Sequence, residues 1–121
     1  MHESGQMYLE TIYVLSQKKP YVRSIDVAEH LGYSKPSISR AMSILKKDGY
    51  VALDADGFLT LTDSGLTIAR TMYTRHTVLT ELLMKMGVDE KTAAEDACRI
   101  EHVISETSFD AVQRYLHSAQ G

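Results

Sequence analysis

The stretch SKPSISRAMSILKKDGYVALDADGFLTL, residues 34–61, decides the fold. Ser34 is a good helix N-cap, and Pro36 fits the first helical turn, where its missing N–H costs nothing. Apolar residues then recur at helical spacing, at Ile38, Ala41, Met42 and Leu45. Two short β runs follow, residues 50–53 and 58–61, with the turn sequence Asp54-Ala55-Asp56-Gly57 between them. The stretch therefore predicts a helix followed at once by a β-hairpin.

A shorter helix is predicted just upstream, over residues 25–31, with Ser24 as its N-cap and Gly32 at its end. Two helices joined by a Gly-containing turn and followed by a hairpin are typical of a winged helix-turn-helix, whose second helix reads DNA base edges. The exposed early positions of that helix are the candidate DNA-binding residues: Lys35, Pro36, Ser37, Ser39 and Arg40. Winged helices also serve as protein-interaction modules, so this alternative stays open.

The rest of the chain is helical in pattern. Helices are predicted over residues 4–17, 63–86 and 90–105, and a short last one carries Phe109, Val112 and Leu116. The predicted fold class is mainly α. An N-terminal winged helix-turn-helix over residues 1–62 precedes a helical domain over residues 63–121.

The charge distribution separates the two parts of the 121-residue chain, whose formal net charge is −3. Residues 18–50 carry a net +4, which favours a polyanionic partner, whereas residues 89–110 carry a net −5. The single cysteine excludes an internal disulfide, and no apolar run approaches the roughly 18 residues needed to span a bilayer. We expect a cytoplasmic protein with no membrane partner.

A transition-metal site is the chemistry that the second half indicates. Cys98, Glu101 and His102 occupy positions i, i+3 and i+4, which share one face of a helix. Thiolate, carboxylate and imidazole together suit a transition metal better than calcium or magnesium. His76 interrupts an apolar stripe and offers a fourth donor. Each of these residues alone is also compatible with ordinary packing or surface decoration.

The first helix carries two more potential donors. Met7 offers a thioether and Glu10 a carboxylate, and the two are three positions apart. Met7 also fits a purely packing role.

The tracts around residues 7–13, 34–50, 75–76 and 97–103 resemble the DtxR/MntR family of metal-activated bacterial repressors. The resemblance implies a homodimer that binds a palindromic double-stranded DNA operator and controls metal-uptake genes. It also implies a helical dimerisation region in the second half, with metal bound at the junction of the two parts. By position, four residues match the primary site of the iron-responsive branch: Met7, Cys98, Glu101 and His102. Glu10 and His76 match ligand positions of the manganese branch.

The same resemblance leaves the number of metal ions open. Thr80 and Ala94 stand where an ancillary site has a glutamate and a histidine. The chain ends at Gly121, so we expect no SH3-like third domain. Because sulfur donors favour softer ions, the predicted activator is Fe²⁺, with Mn²⁺ as the alternative.

The predicted mechanism is that a bound ion fixes the angle between the two parts and so favours the DNA-competent state. A regulator gated by a small molecule or by Cys98 oxidation is an alternative. A metal-dependent hydrolase is disfavoured, because the chain has no HExxH run and thiolate ligands suit sensing better than water activation. We therefore expect no enzymatic activity and no small organic substrate.

Overall fold

The computed structural model describes residues 1–120, which form six helices and one three-stranded sheet. The helices are α1 (Glu3–Lys18), α2 (Ser24–Leu31), α3 (Lys35–Lys47), α4 (Asp63–Lys85), α5 (Glu90–Ile100) and α6 (Glu106–Gln120). The strands are β1 (Val22–Arg23), β2 (Val51–Leu53) and β3 (Phe58–Leu61). The predicted mainly α class, with a winged helix-turn-helix first, is confirmed.

The chain packs as two compact units, of which the first covers Met1–Thr71 and the second begins at Met72. The division falls inside α4, whereas the sequence predicts a domain boundary after residue 62. That boundary stays a prediction, and Gly121, the last residue of the predicted second domain, lies outside the described residues. No helix in residues 1–120 combines the length and the apolar character needed to cross a membrane.

The sheet of the first unit has the order β1-β3-β2, and both of its pairings are antiparallel. The sequence predicts the β2–β3 hairpin but not β1, in which Val22 pairs with Leu59 and Arg23 pairs with Phe58. The hairpin turn is held by Asp54, whose carboxylate accepts hydrogen bonds of 2.9 Å from the backbone N–H groups of Asp56 and Phe58.

One close backbone approach fixes the start of α4 against the hairpin. The backbone oxygen of Tyr50 accepts a hydrogen bond of 3.1 Å from the N–H of Thr62. A Cβ atom placed on Gly65 would overlap that same Tyr50 oxygen. Only glycine therefore lets the first turn of α4 reach this position without a backbone shift.

The first unit encloses an apolar core drawn from its helices and its sheet. Its fully buried members include Leu9 and Ile12 of α1, Val27 of α2 and Ile38 of α3. Ser34 caps α3 as predicted, its hydroxyl accepting a hydrogen bond of 3.3 Å from the N–H of Ser37. The core leaves the opposite face of α3 in solvent.

The start of α2 differs from the sequence prediction, because Arg23 rather than Ser24 is the N-cap. The carboxylate of Asp26 accepts a hydrogen bond of 2.8 Å from the Arg23 N–H and lies 2.7 Å from the Lys19 ammonium. Two contacts hold the pKa of Asp26 below its ordinary value of 3.8. The larger effect comes from the Lys19 ammonium and the smaller one from the Arg23 N–H.

The second unit has its own small core, centred on Leu79 of α4, Ala97 of α5 and Phe109 of α6. Asp89 caps α5 by accepting a hydrogen bond of 3.0 Å from the Thr92 N–H. The predicted helix over residues 90–105 is too long, since α5 ends at Ile100 and residues 101–103 form a turn. The last helix is longer than predicted and spans 15 residues.

Candidate functional site

The early turns of α3 expose every side chain that the sequence predicts to contact DNA: Lys35, Pro36, Ser37, Ser39 and Arg40. Ile38 is completely buried between them, and Met42 and Leu45 are buried further along the helix. Burial of one face therefore leaves the N-terminal turns of α3 available to a partner, with two cations on the exposed side. Their contact with DNA stays a prediction.

Arg23 is a further exposed cation of the first unit, outside the set of residues predicted to contact DNA. Its guanidinium carbon lies 4.6 Å from the centroid of the Phe58 ring, next to the hairpin turn. The Phe58 ring also stacks on Tyr21, with the ring centroids 4.6 Å apart. These contacts restrain a charged side chain that would otherwise be mobile.

The centre of the second unit is Glu101, whose side chain is completely buried. One carboxylate oxygen, Oε2, lies 3.2 Å from Nδ1 of His76 on α4. The other oxygen, Oε1, lies 3.3 Å from Nε2 of His102, the next residue in the turn after α5. The structure thus places two imidazoles around one buried carboxylate.

Within residues 1–120, the Glu101 carboxylate and Nδ1 of His76 lack the hydrogen bonds that buried polar groups normally make. Among the described residues, no donor hydrogen-bonds either oxygen of Glu101, although both imidazoles are within ion-pair distance. Nδ1 of His76 is likewise buried and without a hydrogen-bond partner in that part of the chain. Such orphaned groups cost roughly 1–3 kcal/mol each unless something else satisfies them.

A divalent transition metal fits this arrangement. Two donor atoms at right angles on one ion, with bonds of about 2.1 Å, are about 3 Å apart. The observed separations of 3.2 and 3.3 Å agree with that geometry. Imidazole and carboxylate together are ligands for divalent iron, manganese and zinc. His76 and His102 can therefore each share such an ion with the Glu101 carboxylate oxygen that they face.

Cys98 differs from Glu101 in its surroundings, although the two are three positions apart. Its side chain is exposed, whereas that of Glu101 is fully buried. The expected shared face also ends early, because α5 stops at Ile100 and Glu101 is its C-cap. The role of Cys98 as a ligand stays a prediction.

The two remaining predicted ligands lie in the first unit. Met7 and Glu10 are on α1, where both are partly buried. Their participation in a metal site also stays a prediction.

A surface cavity of about 590 Å³ adjoins His76 at the place where the resemblance implies an ancillary site. Its lining includes Thr80 and Ala94, which replace the expected glutamate and histidine. The Thr80 hydroxyl donates a hydrogen bond of 2.7 Å to the backbone oxygen of His76. Neither residue presents an ionic ligand here.

Arg75 is a second residue that the sequence analysis does not include as part of the site. Its Nη1 donates hydrogen bonds to the backbone oxygens of Glu101, at 3.1 Å, and of Ile104, at 3.0 Å. Its contacts could not be predicted from periodicity, because its partners are distant in sequence and are backbone atoms. Its position next to His76 is the only sequence signal.

Comparison with known protein families matches both parts of the chain. Residues 1–57 match the family described as the iron dependent repressor, N-terminal DNA binding domain. Residues 62–120 match the iron dependent repressor, metal binding and dimerisation domain.

Individual relatives agree with these matches. The HTH-type transcriptional regulator MntR of Lysinibacillus sphaericus (strain C3-41) is 35% identical over 109 residues, which are 90% of this chain and 78% of that protein. The Diphtheria toxin repressor of Corynebacterium diphtheriae is 33% identical over 115 residues, covering 94% of this chain and 49% of that protein. These relatives are regulators of transcription rather than enzymes, which confirms the expectation of no enzymatic activity.

A solved structure described as a manganese-dependent transcriptional repressor complex with manganese has a TM-score of 0.84 to this chain at 28% identity. The match covers 93% of this chain and 52% of that one. The chain therefore spans about half the length of this structure, as it does of the Diphtheria toxin repressor.

Proposed function

Because the chain belongs to the DtxR/MntR family of metal-dependent transcriptional repressors, we propose that it binds operator DNA as a homodimer when a divalent transition metal is bound near Glu101. The observation that carries this proposal is the fully buried Glu101 carboxylate, which accepts no hydrogen bond from the described residues and lies between His76 and His102. A buried anion of this kind is well suited to a cation. Control of metal-uptake genes is the proposed biological role.

The proposed ligands in the second unit are His76, Glu101 and His102, joined by the exposed thiol of Cys98. Met7 and Glu10 of α1 are proposed as further ligands on the strength of the sequence pattern alone. When bound, the ion supplies positive charge to Glu101 and a set of directional bonds that fix its ligands. The chain's own contribution is to hold two imidazoles and one carboxylate ready, at separations of 3.2 and 3.3 Å.

The proposed physiological metal is Fe²⁺, which the sulfur donors Met7 and Cys98 favour. Mn²⁺ is the second candidate, and a specific observation favours it. The structural relative at 28% identity is described as a manganese-dependent repressor with manganese bound. The two imidazoles and the carboxylate of the second unit are compatible with either ion.

DNA is proposed to contact the exposed early turns of α3 at Lys35, Pro36, Ser37, Ser39 and Arg40. A recognition helix presents these turns to base edges in the major groove, while the preceding helix crosses the phosphate backbone. Arg23 is the N-cap of α2, the helix that precedes the recognition helix, and its guanidinium lies over the Phe58 ring. We include Arg23 as a phosphate contact on this ground.

Dimerisation through the second unit is supported by large exposed apolar side chains on α4 and α6 and in the turns that follow α4 and α5. These are Tyr73, Met84, Met86, Val103 and Tyr115, between 41% and 70% exposed. Exposed apolar side chains mark a protein interface where they form one contiguous patch, and we propose that these residues do so. A second copy of the chain is the proposed occupant, and sedimentation analysis measures the oligomeric state.

The proposed regulation is a linkage between two binding events. If metal binds the DNA-competent conformation more tightly than the alternatives, it shifts the population towards that conformation. Bound DNA must then tighten metal binding by the same factor. Neutralisation of the acidic second half also reduces its repulsion of phosphate.

Anaerobic DNA binding tests the proposal. Duplexes are first enriched from a random pool with Fe²⁺-loaded and with Mn²⁺-loaded protein, and the enriched duplex is then titrated by fluorescence anisotropy. We expect tight binding only with metal, and its loss on addition of a chelator. Equal binding by metal-free and metal-loaded protein would overturn the proposal, and so would an absence of any enriched sequence.

The variant Cys98→Ala tests the metal assignment in the same assay. We expect it to lose most Fe²⁺ activation and to retain more of any Mn²⁺ activation, because only the softer ion depends on the thiolate. Ser118→Ala, at an exposed position of α6, is the matched control. Full Fe²⁺ activation of Cys98→Ala would remove Cys98 from the ligand set.

A further inference from the structure

Arg75 connects α4 to the turn that carries Glu101 and His102. It precedes His76 directly in the sequence, and its side chain is partly buried rather than extended into solvent. Its Nη1 donates to the backbone oxygens of Glu101 and Ile104, at 3.1 and 3.0 Å. The guanidinium also lies 5.6 Å from the centroid of the Phe109 ring on α6. Three elements of the second unit therefore meet at this one side chain.

The Glu101 carbonyl, at the end of α5, needs such a partner. The last carbonyls of any helix have no N–H of the same helix to accept from. Here α5 ends at Ile100, Glu101 is its C-cap, and residues 101–103 turn before α6 begins. A cation that donates to carbonyls at a helix C-terminus satisfies them and interacts favourably with the helix dipole. Arg75 thus adds two hydrogen bonds from another helix to a turn that is also held by backbone hydrogen bonds to the Ile100 oxygen.

The same residue pair on α4 acts on both ends of Glu101. Arg75 binds its backbone oxygen, and His76 faces its carboxylate at 3.2 Å. The position of the carboxylate in the buried site therefore depends on a backbone that Arg75 holds. Partners that orient the metal ligands typically change metal affinity 10- to 100-fold when they are removed.

We propose that Arg75 is a positioning residue of the metal site, which holds the turn 101–103 so that Glu101 and His102 face His76. The inference rests on the proposed function, since it concerns how that site is assembled. It assigns to Arg75 no direct bond to the ion.

Charge and positioning predict opposite effects, which makes the inference testable. If Arg75 acted only through its positive charge, its removal would strengthen the binding of a cation nearby. If Arg75 positions the turn, its removal weakens binding and changes the ligand geometry. Arg75→Met removes the charge and the donors, whereas Arg75→Lys keeps the charge and one donor group.

The experiment uses Co²⁺ as the probe, because its visible absorption reports the number and geometry of its ligands. The unmodified chain and both variants are titrated anaerobically. Affinity is taken from chelator competition, and unfolding of the metal-free proteins is followed in parallel. We expect Arg75→Met to bind Co²⁺ about tenfold more weakly with an altered absorption band. Arg75→Lys should recover part of the affinity and of the band. Arg114→Met, at an exposed position of α6, is the control.

Each outcome bears on one claim. Absence of Co²⁺ binding by the unmodified chain would defeat the proposed function itself. Normal binding by the unmodified chain, with an unchanged band and unchanged or tighter binding in Arg75→Met, would overturn only the role of Arg75. If Arg75→Met does not fold, Arg75→Lys decides: an unchanged affinity and band in that variant count against the inference.

Discussion

Nδ1 of His76 lies 3.2 Å from Oε2 of Glu101, and both atoms are buried without a hydrogen bond from the described residues. The pair joins α4 to the turn after α5 inside the second unit. A buried carboxylate is normally satisfied by several donors, or it destabilises the fold. This relationship predicts a protein whose stability depends strongly on a bound cation.

Glu101→Gln tests that dependence. The amide removes the buried charge at nearly constant shape, so we expect the metal-free variant to be at least as stable as the unmodified protein. The gain in stability on adding metal should disappear, whereas a ligand at 100 times its Kd adds about 2.7 kcal/mol to a protein that binds it. Thermal unfolding with and without Mn²⁺ measures both effects.

Glu95→Gln, at an exposed position of α5, is the control for this substitution. A metal-induced rise in Tm of the Glu101→Gln variant equal to that of the unmodified chain would remove Glu101 from the site.

Arg40→Gln tests the recognition helix. If the Arg40 guanidinium hydrogen-bonds to a base edge, its loss should weaken binding to the enriched duplex by about 1–3 kcal/mol. Binding to unrelated duplex should fall less, because base contacts specify whereas phosphate contacts act on all sequences. Anisotropy titrations on both duplexes give the two values, with Arg114→Gln as the control. An equal loss on both duplexes would indicate that Arg40 contacts phosphate.

Arg23→Gln should behave as the loss of a phosphate contact does. We expect a similar loss on all duplexes and a decrease of about one in the slope of log K against log salt concentration. Phe58→Leu, which keeps the charge but removes the ring under it, should reproduce part of the loss. A salt slope identical to that of the unmodified protein would show that Arg23 is not a phosphate contact.

Gly65→Ala tests the close approach of α4 to the hairpin. The new methyl group would overlap the Tyr50 carbonyl oxygen, so the backbone must shift, at a cost of about 1–3 kcal/mol in unfolding free energy. Alanine is otherwise a better helix former than glycine. A loss of stability would therefore point to the close contact and not to helix propensity. Urea unfolding measures the difference, and Ser64→Ala, exposed in the same turn, is the control. Equal or higher stability of Gly65→Ala would show that the approach relaxes freely.

Asp26→Asn should lose stability in a pH-dependent way. The pKa of Asp26 is lowered by the Lys19 ammonium and the Arg23 N–H, so its contribution is present above its unfolded value of 3.8. That contribution is lost as the pH falls through the lower folded pKa. Because Lys19 is half exposed, solvent screening keeps the effect at pH 7 to about 0.5–1 kcal/mol.

Urea unfolding at pH 7 and pH 2.5 checks this expectation. The difference between Asp26→Asn and the unmodified protein should shrink at the lower pH. Glu29→Gln, exposed on the same helix, is the control. A difference that is independent of pH would contradict an ionic role for Asp26.

The sequence predicts what local rules determine, such as the Ser34 cap, the buried face of α3 and the hairpin. It misses β1, because two residues carry no periodicity and their pairing with Leu59 and Phe58 is a long-range contact. It also extends α5 to residue 105, since no glycine or proline marks the end at Ile100. The residues that follow Ile100 accept hydrogen bonds from Arg75, which lies on another helix.

The candidate site shows the same division. Residue type and spacing predict Glu101, His102 and His76 as donors, and the structure places both imidazoles next to the Glu101 carboxylate. Spacing alone also groups Cys98 with Glu101, yet one is exposed and the other fully buried. Burial depends on how α4, α5 and α6 pack, and no residue pattern within α5 contains that information.

The complete burial of Glu101 also bears on how long each copy of the protein survives in the cell. A buried acid without donors lowers the free energy needed to open the second unit, and a bound ion restores it. Proteases act on the opened form, so its population determines the rate of degradation. We therefore expect metal starvation to shorten the half-life of the protein, so that the supply of metal regulates the abundance of the repressor as well as its occupancy of DNA.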